Sequence, residues 1–554
     1  MQLSNKSMID TPPVFPEKVP TLVNKTGLWR FLTPVYREKM SPCQNNCPLD
    51  TQVPRWIGKI KEDNWREAWE IMEQYNPFPA LTGHICYRFC QEDCSRGQKD
   101  ESIDIGELEK AVGYWRHENY QGQQGERNNQ NLNLACRDKS IAVVGSGPTG
   151  LTCAYYLNKL GARVTVLERF SEPGGLLATA VPPYRLPRDI LARELEILRE
   201  EGIEFKTGIT VGDGVSLQDV RAEFDAVLLA VGAQKSRSLG VEGSSLKGVV
   251  TALDFLQEAH LVKKNNVEDS VVVVGGGNAA VDAACTAKLQ GASQVTLLYR
   301  RQAEAMPAHP EEIEAARLAG VDFVFEAVVE EILGEGKVEK VQVAATAPSN
   351  RGETVKVLPG TRYHIDCRQV LVAAGQESSL PEIVPASSFT AEGPGGAAFL
   401  GRGNSGSAKL LFAAGDALTG PANVAEAIFN GRRVALMLKE QLGREQNEQE
   451  SSSYYPAPAS RNKEGDMIVS LEQLNPALYP NEGVKASSRE EARRCFSCGL
   501  CSSCGICWTF CPDLAVEYAA GEYSFLLDYC KGCGICVREC PAGVLEMEVD
   551  ADGT

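Results

Sequence analysis

The sequence predicts a multidomain α/β protein with metal-binding segments at both ends, on three observations. An apolar strand, a glycine-rich turn, a helix and a second strand occur in that order twice between residues 140 and 301. A helical stretch with five interspersed cysteines precedes them, and the chain ends in a cysteine run that is repeated. At 554 residues the chain is too long for one hydrophobic core, so several domains are expected.

Composition narrows the class. With 43% hydrophobic and 23% charged residues the chain reads as ordinary globular protein. A net charge of −17 argues against nucleic acid or an anionic membrane as a general partner. No apolar run approaches the ~18 residues of a membrane span, and no charged stub followed by an apolar run opens the sequence. Of the 19 cysteines, all but four are grouped at metal-ligand spacings, which fits a reducing compartment, and a cytoplasmic location is expected.

Residues 1–40 read as a Pro-rich N-terminal arm. Residues 41–120 form a helical domain, with helical patterns at Val53 to Ile60 and Trp65 to Tyr75 around Cys43-x3-Cys47-Pro48 and Cys86-x3-Cys90-x3-Cys94. Residues 121–137 hold a Gln/Asn-rich stretch with almost nothing to bury, and so make a linker.

Residues 138–250 open the α/β region. Ile141 to Val144 leads into Gly145-Ser-Gly147-Pro-Thr-Gly150, a helix-like Leu151 to Leu160, and Arg163 to Glu168. This is the Rossmann-like context in which a glycine fingerprint binds a dinucleotide. Gly145 permits the turn, Gly147 lets backbone N–H groups approach a pyrophosphate, and Gly150 allows close helix packing. Glu168, 23 residues after Gly145, is expected to accept from a ribose hydroxyl.

Residues 251–376 repeat the unit, with Val271 to Val274, Gly275-Gly-Gly277-Asn278-Ala-Ala280, a helix, and a strand ending at Arg300-Arg301. Guanidinium groups suit an adenosine 2′-phosphate better than a carboxylate does, so this second Rossmann-like domain is read as taking NADPH, with NADH left open. The plainer alternative is a pair of solvated arginines at a strand end. Different ribose chemistry in the two units assigns FAD to the first. Residues 377–443 contain Leu411-Phe-Ala-Ala-Gly415-Asp416, which resembles the late FAD motif whose acid meets the ribityl chain. The NAD(P)H-binding domain is therefore inserted in the FAD-binding domain.

Residues 444–485 read as a second linker, and residues 486–554 as an α+β module like a bacterial ferredoxin. Cys501, Cys504, Cys507 and Cys511-Pro512 recur 29 residues later as Cys530, Cys533, Cys536 and Cys540-Pro541. In this spacing three thiolates of a run hold one 4Fe-4S cube and the fourth crosses to the other. Cys540 thus joins Cys501, Cys504 and Cys507, and Cys511 joins Cys530, Cys533 and Cys536. Zinc also accepts C-x2-C pairs, but needs neither the third close cysteine nor the trailing Cys-Pro.

Pro173-Gly-Gly175-Leu176-Leu177, Pro183-Tyr-Arg-Leu-Pro187, Ala233-Gln-Lys-Ser-Arg237 and Tyr299-Arg-Arg-Gln with Met306-Pro-Ala308 resemble the small (beta) subunit of glutamate synthase and its relatives, over about residues 40 to 440. With the ferredoxin-like module attached, the similarity extends to NAD(P)H:acceptor iron–sulfur flavoproteins. These include the NAD(P)H oxidoreductase partner of dissimilatory sulfite reductase, in sulfur metabolism, and ferredoxin-reducing subunits of anaerobic benzoyl-CoA pathways. The resemblance adds Gly175 and Leu176 to the cofactor-binding residues. It also implies 4Fe-4S clusters in the helical domain, where relatives carry two and begin with an earlier C-x2-C pair. No cysteine precedes Cys43 here, so one cluster is expected to be lost or altered. Cys47, Cys86 and Cys90 match the surviving set, and the Leu-X position of its fourth ligand falls on Leu108-Glu109. Glu109 is then a carboxylate ligand or a plain helix-surface glutamate. Cys43 and Cys94 complete that cluster, share ligands with another segment such as Cys495-x2-Cys498, or have no metal role.

Cys136, Cys153, Cys285 and Cys367 lack partners at ligand spacing and read as buried structural residues. The five histidines show no metal or triad spacing. The expected activity is electron transfer from NAD(P)H through FAD and 4Fe-4S clusters to a protein acceptor, a ferredoxin or a partner reductase, or the reverse. A glutamate synthase small subunit and a non-catalytic scaffold are the alternatives. No catalytic acid–base residue emerges, and a homo-oligomer is neither required nor excluded.

Overall fold

The computed structural model describes residues 27, 30–121, 135–262, 265–384, 397–402, 409–443, 468–469, 473–474, 485, 487–519 and 522–549. Most of the expected arm and of both expected linkers lies outside these residues. The chain divides into two compact units: Met1–Glu118 with Tyr454–Thr554, and Asn119–Ser453.

In the central unit, near-continuous apolar strands build two parallel sheets. The first runs in the order Ala397–Arg402, Leu410–Ala414, Ala226–Leu229, Ser140–Val144, Arg163–Glu168, Glu204–Thr207, with the first of these strands antiparallel to the second and the rest parallel. Strands from 140–229 and from 397–414 thus share one sheet. The second sheet is wholly parallel, in the order Asp322–Phe325, Gln294–Tyr299, Ser270–Val274, Gln369–Val372, Val249–Thr251. It falls between the two parts of the first, so the second domain is inserted in the first. Ile141 to Val143 and Val271 to Val273 are at most 1% exposed, as parallel strands covered on both faces must be. A three-stranded antiparallel sheet, Ala327–Leu333, Lys340–Ala345 and Tyr363–Asp366, packs on the second sheet's other face through Val329, Val341 and Val343.

The terminal unit joins both ends of the chain. Helices Val53–Lys61, Trp65–Glu73 and Ile105–Asn119 bury Trp56, Ile57, Ile60, Met72, Leu108 and Val112 in one core. Ala492 and Cys495 belong to that same core. The ferredoxin-like module is closed by strand Leu32–Tyr36 pairing antiparallel with Leu545–Val549. Among the described residues no helix is long and apolar enough to cross a membrane.

Candidate functional site

The first glycine turn lies at the carboxyl edge of the first sheet. Gly145 has φ +102°, and a Cβ there would meet the Ala230 carbonyl oxygen at 2.4 Å, so no other residue fits without moving backbone. A Cβ on Gly150 would lie 2.0 Å from the Gly145 oxygen. Gly147 caps the helix Pro148–Lys159 and faces open space, as a residue that admits a pyrophosphate must.

Ser146, fully buried, ties the surrounding segments together. Its N–H and Oγ both donate to Glu168 Oε2, at 3.0 and 2.5 Å, while Oγ accepts from Gly174 N–H at 2.8 Å. Phe170 N–H donates to Glu168 Oε1 at 3.0 Å. The acid at the strand end is therefore held by three donors beside the turn. Gly175 comes in from the following loop, where a Cβ would stand 2.7 Å from Gly147 Cα, and Leu176 starts the short helix Leu176–Thr179. Asp416 opens the helix Asp416–Thr419 with Oδ1 buried and without a hydrogen-bond partner, and burial pushes its carboxyl up to about 6. An orphaned buried oxygen and an open glycine cradle in one domain fit a flavin dinucleotide.

The second turn is built the same way. Gly275 approaches the Ala373 carbonyl, Gly277 caps the helix Asn278–Leu289 and faces open space, and Ala280 is fully buried. Asn278 Oδ1 accepts from His309 N–H at 2.9 Å, anchoring the Met306-Pro-Ala308 loop over the turn. The two arginines differ. Arg301 donates to the carbonyls of Asn350 and Glu353, both at 2.9 Å, whereas Arg300 lies exposed just beyond the strand Gln294–Tyr299. Arg185, from the segment between the two turns, reaches this domain: Nη1 donates to Asp282 Oδ2 at 2.9 Å and Nη2 to Glu312 at 2.5 Å. Burial holds Asp282 at about 6 and Glu312 at about 7 in spite of that guanidinium.

In the helical domain Cys47, Cys86 and Glu109 lie around Cys90, each close enough to add to the rise that burial gives its thiol. Glu109 is half-buried, accepts from Asn76 Nδ2 at 2.7 Å and Thr82 Oγ1 at 2.8 Å, and desolvation lifts it to about 7. Both bonds fall on Oε1, which leaves Oε2 to act as a ligand.

In the C-terminal module Cys504, Cys501, Cys540 and Cys536 all lie near enough to Cys507 to push its thiol up, and Cys530, Cys511 and Cys533 do the same to Cys536. Cys511, Cys530, Cys533 and Cys536 line one cavity, and Ala515 N–H donates to Cys511 Sγ at 3.2 Å. Four-sulfur sets with N–H···S contacts suit iron–sulfur cubes. Sequence reasoning missed Ser146, which sits at an unconstrained position of the fingerprint, and Asn76, Thr82 and Arg185, whose partners are distant in sequence.

Comparisons with known proteins agree with this layout. Residues 107–221 and 213–431 match the pyridine nucleotide-disulphide oxidoreductase family. Residues 37–121 match dihydropyrimidine dehydrogenase domain II, 4Fe-4S cluster, and residues 523–546 a 4Fe-4S binding domain. The chain is 32% identical over 435 residues to the NADPH-Fe(3+) oxidoreductase subunit beta of Geobacter sulfurreducens, covering 73% of this chain and 64% of that one. It is 31% identical over 444 residues to the NADP(+)-dependent formate dehydrogenase subunit beta of Moorella thermoacetica, covering 73% and 60%. Less than two thirds of the length of either relative is spanned. The glutamate synthase [NADPH] small chain of Escherichia coli K12 is 32% identical over 415 residues, covering 71% of this chain and 87% of that one. The chain belongs to the pyridine nucleotide-disulphide oxidoreductase family, alongside the glutamate synthase small chains, as an iron–sulfur flavoprotein with 4Fe-4S domains at both ends.

Proposed function

We propose that the protein is an NAD(P)H:acceptor oxidoreductase that exchanges electrons with a redox protein, through FAD and 4Fe-4S clusters. The observation that carries this reading is the presence, in one chain, of two dinucleotide turns and of cysteine sets at both ends. Nicotinamide gives up two electrons as hydride and an iron–sulfur cube takes one, and a bound flavin supplies the conversion between them.

The protein's own groups bind and orient. Gly147 and Gly277 admit the pyrophosphates to their helix N-termini, Glu168 and Asp416 present oxygens to the flavin's sugar and ribityl hydroxyls, and Arg300 meets a nicotinamide adenosine 2′-phosphate. Cys47, Cys86, Cys90 and Glu109 hold a cluster in the helical domain, and the eight ferredoxin-module thiolates hold two more. The acceptor is a ferredoxin or a partner reductase, in the cytoplasm, and flow in either direction is allowed. Relatives that are beta subunits support a partner-dependent role.

A second reading, electron delivery to a glutamine-hydrolysing large subunit, is favoured by the 87% coverage of the glutamate synthase small chain. The appended ferredoxin-like module weighs against it. Anaerobic stopped-flow absorbance with NADPH and NADH, with iron and flavin counted on the same sample, tests the proposal. Rapid loss of flavin absorbance followed by cluster reduction is expected. Bound flavin that neither nucleotide reduces would overturn it as a nicotinamide-driven enzyme.

A further inference from the structure

Cys43, Cys94, Cys495 and Cys498 line one cavity in the terminal unit. Two belong to the helical domain, and two follow 401 residues later (495 − 94). Cys43, Cys495 and Cys498 are each 8% exposed, and the Cys43 thiol feels the other three. Val53, Ile57, Ile103, Ile105 and Phe496 complete an apolar wall.

Buried charge brings the two segments together. Helix Ser488–Arg494 ends on Arg494, which donates to Glu491 Oε1 at 2.6 Å, to Asp100 Oδ1 at 3.1 Å and to the Glu101 carbonyl at 2.6 Å. Arg96 donates to Asp100 Oδ1 at 2.6 Å and to the Arg494 carbonyl at 3.2 Å. Glu491 Oε1 accepts from Asp104 N–H at 3.0 Å. Two arginines and two acids thus neutralise one another under the cavity. Lys61 Nζ then donates to the Cys495 carbonyl at 2.9 Å and to Ser497 Oγ at 2.8 Å, fixing the turn that carries both cysteines.

The sulfurs are dressed as ligands. Ser497 N–H donates to Cys495 Sγ at 3.4 Å, and Ser41 Oγ lies 3.2 Å from Cys43 Sγ. Such contacts stabilise thiolates and tune metal centres. A tetrahedral zinc ion would draw its sulfurs to about 3.8 Å apart, given its ~2.3 Å bonds. The four thiols line one space, as a cube with an iron at each ligand requires.

We propose that Cys43, Cys94, Cys495 and Cys498 bind one further 4Fe-4S cluster, with its ligands divided between the two ends of the chain. Each side of this site adjoins a neighbouring set. Cys47 follows Cys43 by four residues, Cys90 precedes Cys94 by four, and Cys501 follows Cys498 by three. Three residues span at most ~11 Å and four ~14 Å. The cluster is therefore a relay between the helical-domain cluster and the ferredoxin pair, and it clamps residues 495–498 onto the helical domain.

The test is a count of iron and acid-labile sulfide per chain in the anaerobically purified protein, in C43A/C94A, in C495A/C498A and in the quadruple variant. Each double variant loses about four irons, and the quadruple loses the same about four, because both pairs serve one cube. Full iron in C495A/C498A, a quadruple loss of about eight, or loss of one zinc in place of iron overturns the assignment. Should the doubles fail to accumulate, iodoacetamide footprinting of the native protein decides. All four thiols resist labelling while iron is bound and label together after chelation; labelling of Cys495 or Cys498 in iron-replete protein overturns the site. Neither readout needs nicotinamide or an acceptor, so failure of this site and failure of the proposed reaction are told apart.

Discussion

Ser146→Ala tests whether the flavin site depends on a residue that no fingerprint specifies. The substitution removes the 2.5 Å bond to Glu168 and the acceptor of Gly174 N–H at 2.8 Å. A hydrogen bond to a charged group contributes about 1.5–3 kcal/mol, and a buried donor left unpaired costs about 1–3 kcal/mol. The backbone bond from Ser146 N–H to Glu168 survives. The sum, about 2.5–6 kcal/mol, falls on the three segments that frame the dinucleotide: the turn, the acid and the Gly174-Gly175 loop. At ~2 °C per kcal/mol for a large unit, the melting temperature drops by about 5–12 °C. Flavin content after purification falls with it, since the acid and the loop are no longer held in register. Differential scanning fluorimetry and flavin absorbance of the denatured supernatant give both numbers. A variant that melts within a degree of the wild type and keeps its full flavin would refute the reasoning.

Arg300→Ala should raise KM for NADPH by about tenfold or more and leave NADH unchanged, the loss of one charge-assisted bond; equal effects on both nucleotides would sink the 2′-phosphate assignment. Arg301→Ala, by contrast, should lower thermal stability through the lost 350–353 carbonyl contacts with little change in that ratio. Gly277→Ala adds a Cβ to open space at φ −86°, so the melting temperature should hold while nicotinamide affinity falls; unchanged affinity would mean the dinucleotide passes elsewhere. Asp282 and Glu312 titrate at about 6 and 7 when folded, above their unfolded values, so the folded state binds extra protons between about pH 4 and 7 and loses stability as pH rises through that window. Arg185→Met should therefore cost more stability at pH 8 than at pH 5, and a penalty independent of pH would argue against the pair. Cys507→Ser should spare NADPH-driven flavin reduction and block delivery to a protein acceptor, whereas normal delivery would exclude the module as the exit.

What was legible in the sequence is what backbone geometry or ligand spacing dictates locally. A dinucleotide must approach main chain, so Gly145, Gly147 and Gly150 announce it within six residues, and the acid or arginine that reads the ribose follows at the end of the next strand. Two cubes sharing crossed ligands require the fourth cysteine of each run, and Cys511 lines one cavity with Cys530, Cys533 and Cys536. Strand-end arginines were legible only as a pair. Which of them faces solvent is decided by the 350–353 turn, which local sequence does not connect to Arg301. Glu109 is open between ligand and surface residue in the sequence because its hydrogen-bond donors, Asn76 and Thr82, lie 33 and 27 residues away.

The joining of the two chain ends had the weakest signature. Arg494 and Asp100 are 394 residues apart, and nothing in the spacing of either marks them as partners. A pair of cysteines that fits no local cluster does leave a trace, however, since C-x2-C is a metal-ligand spacing. Cys43 and Cys94 at one end and Cys495 and Cys498 at the other are incomplete ligand sets of equal size, and the fold brings them to a common cavity. A redox chain gains from that arrangement in a way a tethered module would not. A flexible linker would let the ferredoxin-like module sample many positions, whereas a shared cube fixes its distance to the helical-domain cluster through bonds a few residues long. The buried Arg96, Asp100, Glu491 and Arg494 set, expensive to desolvate, is then explained as the device that holds residues 495–498 against the helical domain for that cube to form.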